Sequence, residues 1–218
     1  MRDIQIFCDF DGTVTKEDTL NKFLRIYADK EWLNVESKWE AGKIGSRECI
    51  FEQMKLVPRQ NAKVLNDFLN GIEIDEYFPE FIKYVRENNI DFYIVSDGFD
   101  YFINRILRKN NIFDIKIFAN HVNLEDGRYI CGFPYTNPDC TTASGMCKCN
   151  IVNKYKRPES TVLYIGDGGS DFCVSKKMET IFAKGRLLEY CEKNNIAENG
   201  LIRFSCFKEI LNFLKQGE

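Results

Sequence analysis

Two aspartates stand one residue apart directly after a short apolar run near the N-terminus. Asp9 and Asp11 belong to the segment 9–13 (Asp-Phe-Asp-Gly-Thr), which follows the β-prone residues 4–8. On an extended chain, residues i and i+2 point to the same side, so both carboxylates would face one site. Gly12 allows a tight backbone turn that aims amides at an anion. These residue types at this spacing suit the binding of a phosphate together with a metal ion.

Two later segments place polar residues in the same way after an apolar run. Ser96, Asp97 and Gly98 follow the run 91–95, and the segment 165–171 (Ile-Gly-Asp-Gly-Gly-Ser-Asp) follows another. Taken alone, Asp-x-Asp-Gly is equally typical of an ordinary turn. The repetition favours a site, because ligands bind at the carboxyl ends of the strands in open α/β sheets.

The order of helical and extended patterns predicts the elements that would hold these residues. From residue 75 onward, helical periodicity alternates with extended runs at 91–95, 115–119, 161–165 and 181–183. Such alternation predicts a doubly wound α/β fold with a parallel sheet. Residues 121–134 alternate around Asp126 and Gly127, which predicts a β-hairpin.

Residues 16–74 show only helical patterns. One helix is predicted to begin at Asp18 or Thr19, a second near Ser46 and a third to include residues 64–69. We therefore expect residues 16–74 to form a small α-helical cap, whose closure would exclude water from the site. Residues 1–15 and 75–218 are expected to form the core domain.

Composition limits the partners of the protein. Its 30 basic and 33 acidic residues give a net charge of −3 and no basic field for nucleic acid or an anionic membrane. No apolar stretch reaches the roughly 18 residues of a membrane span, and no targeting segment precedes the first strand. The nine cysteines are scattered, which favours reduced thiols. We expect a cytoplasmic protein that binds neither nucleic acid nor a membrane. No oligomeric state is predicted.

The strand-end motifs, in their order along the chain, resemble those of a known superfamily. The Asp9–Asp11 pair, Ser96, a lysine before a helix and the segment 166–171 resemble the four motifs of the haloacid dehalogenase superfamily of phosphohydrolases. That family has a Rossmann-like core, and the helical insertion resembles its small C1 cap (subfamily IB). The resemblance implies that Asp9 attacks phosphorus to form an aspartyl-phosphate, while Asp11 acts as general acid and then general base.

The same resemblance implies the remaining site residues. Mg²⁺ would be held by the Asp9 carboxylate, the Asp11 backbone carbonyl and Asp167, with Asp171 ligating the metal or orienting its waters. Lys148 is the expected cation because it directly precedes a helix, whereas Lys154 and Lys156 lie within that helix and should face solvent. The implied phosphate-binding residues are Gly12, Ser96, Asp97, Gly98 and Lys148.

Several segments narrow the expected substrate, a small phosphorylated metabolite. Segments 133–138, 146–149 and 182–191 resemble the branch with the methionine-salvage phosphatase that acts on 2-hydroxy-3-keto-5-methylthiopentenyl 1-phosphate. Segments 146–148 and 166–173 also resemble phosphoethanolamine and phosphocholine phosphatases. Phosphoserine phosphatases carry a cap glutamate and arginine; here Asp18 stands where the glutamate is expected, and Arg47 is only an approximate counterpart of the arginine.

Two further alternatives remain open. A non-catalytic phosphoacceptor on the same fold is possible, although it would not need the acid that Asp11 supplies. Cysteines in the loop before residue 150 suggest zinc, but their spacing is not that of paired zinc ligands. These cysteines are Cys140, Cys147 and Cys149, with Cys131 as a fourth. The single histidine, His121, excludes phosphatase mechanisms that need two histidines.

Overall fold

The computed structural model describes residues 3–125, 128–198 and 200–216. The strands in these ranges are β1 (Ile4–Cys8), β2 (Asp91–Phe99), β3 (Lys116–Glu125), β4 (Arg128–Gly132), β5 (Thr161–Gly166), β6 (Thr180–Ala183) and β7 (Leu201–Arg203). They form one sheet in the order β4-β3-β2-β1-β5-β6-β7. Every pairing is parallel except that of β3 with β4. The predicted α/β fold is confirmed.

Helices join the strands and cover the sheet. They are α1 (Thr19–Tyr27), α2 (Trp32–Glu40), α3 (Ser46–Lys55), α4 (Ala62–Asn70), α5 (Phe78–Glu87), α6 (Asp100–Lys109), α7 (Lys148–Tyr155), α8 (Phe172–Ser175), α9 (Gly185–Lys193) and α10 (Phe207–Gln216). A 3-10 turn, Gly169–Asp171, precedes α8. No helix in the described ranges is long and apolar enough to cross a membrane.

The first strand lies at the centre of the sheet and is apolar on both faces. Ile6 and Cys8 belong to one fully buried cluster, and Phe7 between them belongs to a second cluster with Val95 and Tyr164. Successive side chains of a strand point to opposite faces. The two clusters therefore lie on opposite faces of the sheet, each covered by helices. The polar residue of this strand, Gln5, is also buried and donates to the Tyr155 carbonyl at 3.1 Å.

Four helices, α1 to α4, occupy the chain between β1 and α5. The two stretches of chain that connect this segment to the rest of the protein lie side by side. Thr15 forms a β-bridge with Ile74, and the Asp75 amide donates to the Val14 carbonyl at 2.8 Å. This contact coincides with the predicted boundary of residues 16–74. The division into cap and core remains a prediction.

Some elements differ from those predicted. Helix α2 was not predicted; its only buried residue is Trp32, so its apolar periodicity is weak. Strand β7 was also missed, since an edge strand of two half-exposed residues and one exposed residue gives little signal. Strand β3 continues from the sheet into the predicted hairpin with β4 as one strand. The predicted turn residues Asp126 and Gly127 lie outside the described residues.

Candidate active site

The pairing of the central strands brings the predicted residues together. Cys8 pairs with Ile94 on β2 and with Ile165 on β5, both in parallel. Asp9 is the next residue after β1, and its amide donates to the Ile165 carbonyl at 2.8 Å. Ser96 on β2 and the loop that follows β5 consequently flank Asp9 at the carboxyl edge of the sheet.

Lys148, the first residue of α7, links two of the aspartates. Its Nζ lies 2.9 Å from Asp9 Oδ1 and 2.6 Å from Asp171 Oδ1, and it donates to Ser170 Oγ at 2.9 Å. The lysine is only 4% exposed. Burial opposes its charge, but the carboxylates of Asp171 and Asp9 raise the pKa of Lys148, so the ammonium stays protonated. Lys154 and Lys156 are exposed, as predicted.

The carboxylate of Asp171 accepts four hydrogen bonds. Lys148 and the Tyr164 hydroxyl donate to Oδ1, while the amides of Asp167 and Gly168 donate to Oδ2, each at 3.1 Å. A carboxylate has about four acceptor positions. Asp171 thus holds both the lysine and the β5–α8 loop, and a metal would have to compete with these donors for its oxygens. Metal ligation by Asp171 stays a prediction.

Asp9, Asp167 and Asp171 form an acidic cluster in which Asp9 and Asp171 are buried and Asp167 is half-buried. One carboxylate oxygen from each lies within 4.8 Å of the others. Burial, followed by the charge of Asp171, raises the pKa of Asp9 well above its ordinary value and that of Asp167 to about 6. The positive charges of Lys148 and Lys184 lower the pKa of Asp167 but do not offset burial and the charge of Asp171. An all-oxygen donor set of this kind fits a hard divalent cation.

Asp11 lies at the junction between the core and the first cap helix. Its Oδ1 accepts from the Thr19 amide at 3.0 Å, and its Oδ2 accepts from Ser96 Oγ at 3.4 Å. Burial raises the pKa of Asp11, although the hydrogen bonds from Thr19 oppose the shift. A carboxyl group held in this way is suited to donating a proton. A Cβ atom at Gly98 would lie 2.3 Å from Asp11 Oδ2, so only glycine leaves room for this carboxyl.

Gly12 lies where the segment 9–13 contacts the segment 166–171. Its φ is +74°, and a Cβ atom there would lie 2.4 Å from Asp167 Oδ2. The Gly12 amide donates to Thr15 Oγ1 at 3.1 Å, and the Gly98 amide donates to Ser96 Oγ at 2.9 Å. Both amides therefore already have acceptors within the protein, and their predicted contact with phosphate remains untested.

The Asp97 side chain joins the helical segment to the core, a contact that the sequence did not predict. It accepts from the Ser46 hydroxyl, from Asn120 Nδ2 at 3.0 Å and from the Met146 amide at 2.8 Å. Ser46 is the first residue of α3, whereas Asn120 lies on β3. No local pattern relates these positions, because the contact exists only in the folded chain.

A cleft of about 440 Å³ opens above the aspartates, between the sheet edge and helices α1 to α3. Its upper wall combines apolar and acidic side chains: Asp18, Leu20, Glu36, Trp39, Glu40, Cys49, Ile50 and Gln53. Buried Gln53 donates to Glu36 Oε2 at 2.7 Å and fixes that carboxylate. Arg186 lines the cleft, whereas Arg47 is exposed and does not.

The cysteines predicted as possible zinc ligands do not converge. Among the described residues, the only group of three or more candidate ligands is the aspartate cluster. Cys131, Cys140, Cys147 and Cys149 are all free thiols. His121 is also outside the cleft; it is exposed, and its Nδ1 pairs with Asp100 at 2.9 Å.

The sequence is similar to known phosphatases over most of its length. Residues 4–200 match the family model described as Putative Phosphatase. The chain is 29% identical over 214 residues to the 2-hydroxy-3-keto-5-methylthiopentenyl-1-phosphate phosphatase of Bacillus cereus (strain B4264), covering 97% of this chain and 96% of that protein.

Two solved structures share the fold. A HAD family hydrolase from Salmonella enterica subsp. enterica serovar Typhi matches with a TM-score of 0.72 at 15% identity, covering 96% of this chain and 70% of that one. A substrate-bound phosphoserine phosphatase matches with a TM-score of 0.68 at 19% identity, covering 98% of each chain. At these identities, the likeness concerns the fold alone.

Proposed function

This chain belongs to the Putative Phosphatase family, a group of phosphatases with the haloacid dehalogenase fold, and we propose that it acts through an aspartyl-phosphate on Asp9. The observation that carries the proposal is the position of Lys148, which contacts both Asp9 and Asp171 within the acidic cluster. A buried ammonium beside a nucleophilic carboxylate is suited to binding an incoming phosphate dianion.

The hydrogen bonds of Asp9 indicate which oxygen would attack. Lys148 Nζ and the Phe10 amide both bind Oδ1, at 2.9 Å and 2.8 Å. Oδ2 is therefore the oxygen left to form the bond to phosphorus, while the P–O bond to the alcohol breaks. Lys148 and Ser96 would hold the phosphoryl oxygens during this step.

Asp11 would move the protons. Its raised pKa favours the protonated form, which donates to the leaving alkoxide. The resulting carboxylate then takes a proton from the water that hydrolyses the aspartyl-phosphate, and Asp11 returns to its starting state. The Thr19 amide would hold the group in place for both steps, while the single hydroxyl proton of Ser96 would turn from Asp11 to a phosphoryl oxygen.

Mg²⁺ is the proposed cofactor. The Asp9 and Asp167 carboxylates and the Asp11 backbone carbonyl would hold it, and when bound it would neutralise the charge of the phosphate and orient it for attack. Asp171 would instead position Lys148 and the β5–α8 loop, since its oxygens already accept four donors.

The proposed substrate is 2-hydroxy-3-keto-5-methylthiopentenyl 1-phosphate. Similarity to the curated relatives over nearly the full chain supports it. The wall of the cleft also suits this substrate. Leu20, Trp39 and Ile50 would contact its apolar methylthio end, and Glu36 would accept hydrogen bonds from its hydroxyl groups. Phosphoserine has less support because Arg47 lies outside the cleft; phosphoethanolamine and phosphocholine are the other candidates.

We propose the domain division expected from the sequence, with residues 16–74 as a cap and residues 1–15 and 75–218 as the core. The paired stretches of chain at Thr15 and Ile74 support it, because two adjacent connections can act as a hinge. A cytoplasmic location stays a prediction.

The test is phosphate release with Mg²⁺ from the methylthiopentenyl ester and from serine, ethanolamine and choline phosphates. We expect one compound to stand well above the others and Asp9→Asn to abolish its turnover. Asp67→Asn, the same change on the exposed face of α4, is the matched control. Turnover by Asp9→Asn would overturn the mechanism, and a long-lived phospho-Asp9 without turnover would favour the phosphoacceptor alternative.

A further inference from the structure

Two cysteines approach each other directly behind the candidate site. Cys149 is the second residue of α7 and Cys173 the second residue of α8, and their Sγ atoms are 3.1 Å apart. Both are free thiols. A disulfide has an S–S distance of about 2.05 Å, so the sulfurs need to approach by only about 1 Å to form a bond.

We propose that Cys149 and Cys173 are a redox-sensitive pair, which a peroxide converts to a disulfide with loss of phosphatase activity. A dithiol reductant would restore both the thiols and the activity. Regulatory or redox-sensing disulfides of this reversible kind occur even where thiols are generally kept reduced.

The surroundings of the two thiols suggest the order of the chemistry. Cys173 is half-buried and reachable, whereas Cys149 is 7% exposed. Burial also raises the pKa of Cys149 to about 12, which disfavours its direct reaction with an oxidant. Lys176 and Lys177 supply positive charge beside Cys173 and Cys149 respectively.

The proposed reaction balances with hydrogen peroxide as the oxidant. The Cys173 sulfur attacks one peroxide oxygen, the O–O bond breaks, and the products are a sulfenic acid and one water. The Cys149 sulfur then attacks the sulfenic sulfur, the S–O bond breaks, and a second water leaves. Two thiols are oxidised by two electrons, and one peroxide is reduced to two waters.

The expected effect on activity follows from the positions of Lys148 at the start of α7 and Asp171 just before α8. Cys149 directly follows Lys148, and Cys173 stands two residues after Asp171; the ion pair between these charged residues is 2.6 Å long. Drawing the sulfurs together shifts the start of α7 against the start of α8. A displacement of about 1 Å in a catalytic constellation can cost about 100-fold in rate. We expect oxidation to lower kcat by about 10- to 100-fold.

A second reactive thiol has to be removed for the test to be clear. Burial opposes the ionisation of Cys140, but hydrogen bonds from Ser144 and Thr142 lower its pKa to about 7. It will therefore compete for peroxide. The full-length Cys140→Ser protein is the appropriate background for all the variants below.

The experiment treats this protein with hydrogen peroxide and maps its peptides by mass spectrometry without reduction. We expect one linked peptide pair joining Cys149 to Cys173, a parallel fall in turnover of a generic phosphate ester, and reversal of both by dithiothreitol. Cys149→Ser and Cys173→Ser should each prevent the link and the reversible loss. Cys206→Ser, a half-buried thiol before α10, is the control that should change neither.

Other results would overturn the proposal. Thiols consumed without a Cys149–Cys173 link, or a link between other cysteines, would show that the pair does not react as proposed. A complete link with unchanged kcat would overturn its effect on activity. The activity measurement rests on the proposed function, but the peptide map does not, so failure of one is distinguishable from failure of the other.

Discussion

At the scale of single residues, the role proposed for Asp11 can be separated from that of Asp9. Replacing Asp11 by Asn removes the proton donor but keeps the side-chain shape. General acid catalysis typically contributes about 10²- to 10⁴-fold, and most when the leaving alcohol is a poor one. We expect Asp11→Asn to lose much more kcat/KM on an alkyl phosphate than on a nitrophenyl phosphate, because kcat/KM reports the step in which the alcohol leaves and not the later hydrolysis of the aspartyl-phosphate. Equal losses on both esters would contradict the role.

Glu36 is the residue we expect to select the substrate. Gln53 holds one of its oxygens at 2.7 Å, and burial raises the pKa of the carboxyl. A hydrogen bond to a charged group contributes about 1.5–3 kcal/mol, so Glu36→Gln should raise KM for the preferred metabolite by at least about tenfold. Turnover of a small generic ester should not change.

The matched control for Glu36 is Glu48→Gln, the same change at an exposed position on α3. Steady-state kinetics on the metabolite and on the generic ester give, for each ester, the ratio of the variant's KM to that of the wild type. A similar rise in KM for both esters would show that Glu36 supports the structure of the cleft rather than recognising the substrate.

Cys140 gives a prediction about pH. Its pKa of about 7 lies below the ordinary thiol value of 9.0, because hydrogen bonds from Ser144 and Thr142 outweigh the effect of burial. Burial raises the pKa of Cys131 to about 12. As pH rises through 7, alkylation of Cys140 by iodoacetamide should therefore increase, whereas Cys131 should stay unreactive up to pH 9. Peptide mass spectrometry measures both rates, and a Cys140 midpoint near 9 would contradict the prediction.

Sequence reasoning was most effective where a residue's position follows from a strand end. Asp9, Ser96 and Asp167 each follow a β-prone run, so parallel pairing alone brings them together. Lys148 was chosen because it precedes a helix; its Nζ lies 2.9 Å from Asp9 and 2.6 Å from Asp171, and its catalytic role stays a prediction. The side-chain partners of Asp97 and Glu36 were not predicted, because each depends on how separate elements pack.

At the scale of elements, the start of α3 forms a close, hydrogen-bonded contact between the helical segment and the core. Ser46 Oγ donates to Asp97 and accepts from the Gly145 amide at 3.2 Å. A Cβ atom on Gly45 would lie 2.3 Å from the Ala143 carbonyl oxygen, so the two chains are in close contact. These contacts are suited to holding the proposed cap closed over the cleft.

Ser46→Ala should weaken this contact without disturbing the core. It removes one hydrogen bond to a carboxylate and leaves a buried amide without its acceptor, a loss of about 1.5–3 kcal/mol. We expect faster hydrogen exchange in α3 and in residues 140–147, together with a lower kcat. Ser37→Ala, on the exposed side of α2, is the control. Unchanged exchange in these segments would show that Ser46 does not hold the cap.

Helices with a strong apolar face could be predicted, whereas α2 could not. Helix α1 buries Phe23 and Leu24, and α4 buries Leu65, Phe68 and Leu69, at the spacing expected for one face. Helix α2 buries only Trp32, because its other side is directed towards the cleft. The helix therefore lacks the apolar pattern on which the prediction depends.

At the scale of the whole molecule, the acidic cluster is a source of instability that a bound cation would relieve. The net charge is only −3, yet Asp9, Asp167 and Asp171 lie together at one edge of the sheet. At pH 8 the Asp167 carboxylate, with its pKa of about 6, is ionised and repels its neighbours. Repulsion among these carboxylates should consequently lower the free energy of unfolding of the metal-free protein.

Asp167→Asn should therefore have opposite effects with and without metal. In EDTA at pH 8 we expect the variant to melt at a higher temperature than the wild type, because one repelling charge is gone and Thr13 can still donate to the amide oxygen. Mg²⁺ at about 100 times its Kd should stabilise the wild type by about 2.7 kcal/mol, roughly 5–10 °C for a chain of this size, and should barely affect the variant. The order of the two melting temperatures should thus reverse on adding metal, while Asp67→Asn follows the wild type. An equal Mg²⁺ shift in wild type and Asp167→Asn would show that Asp167 does not hold the cation.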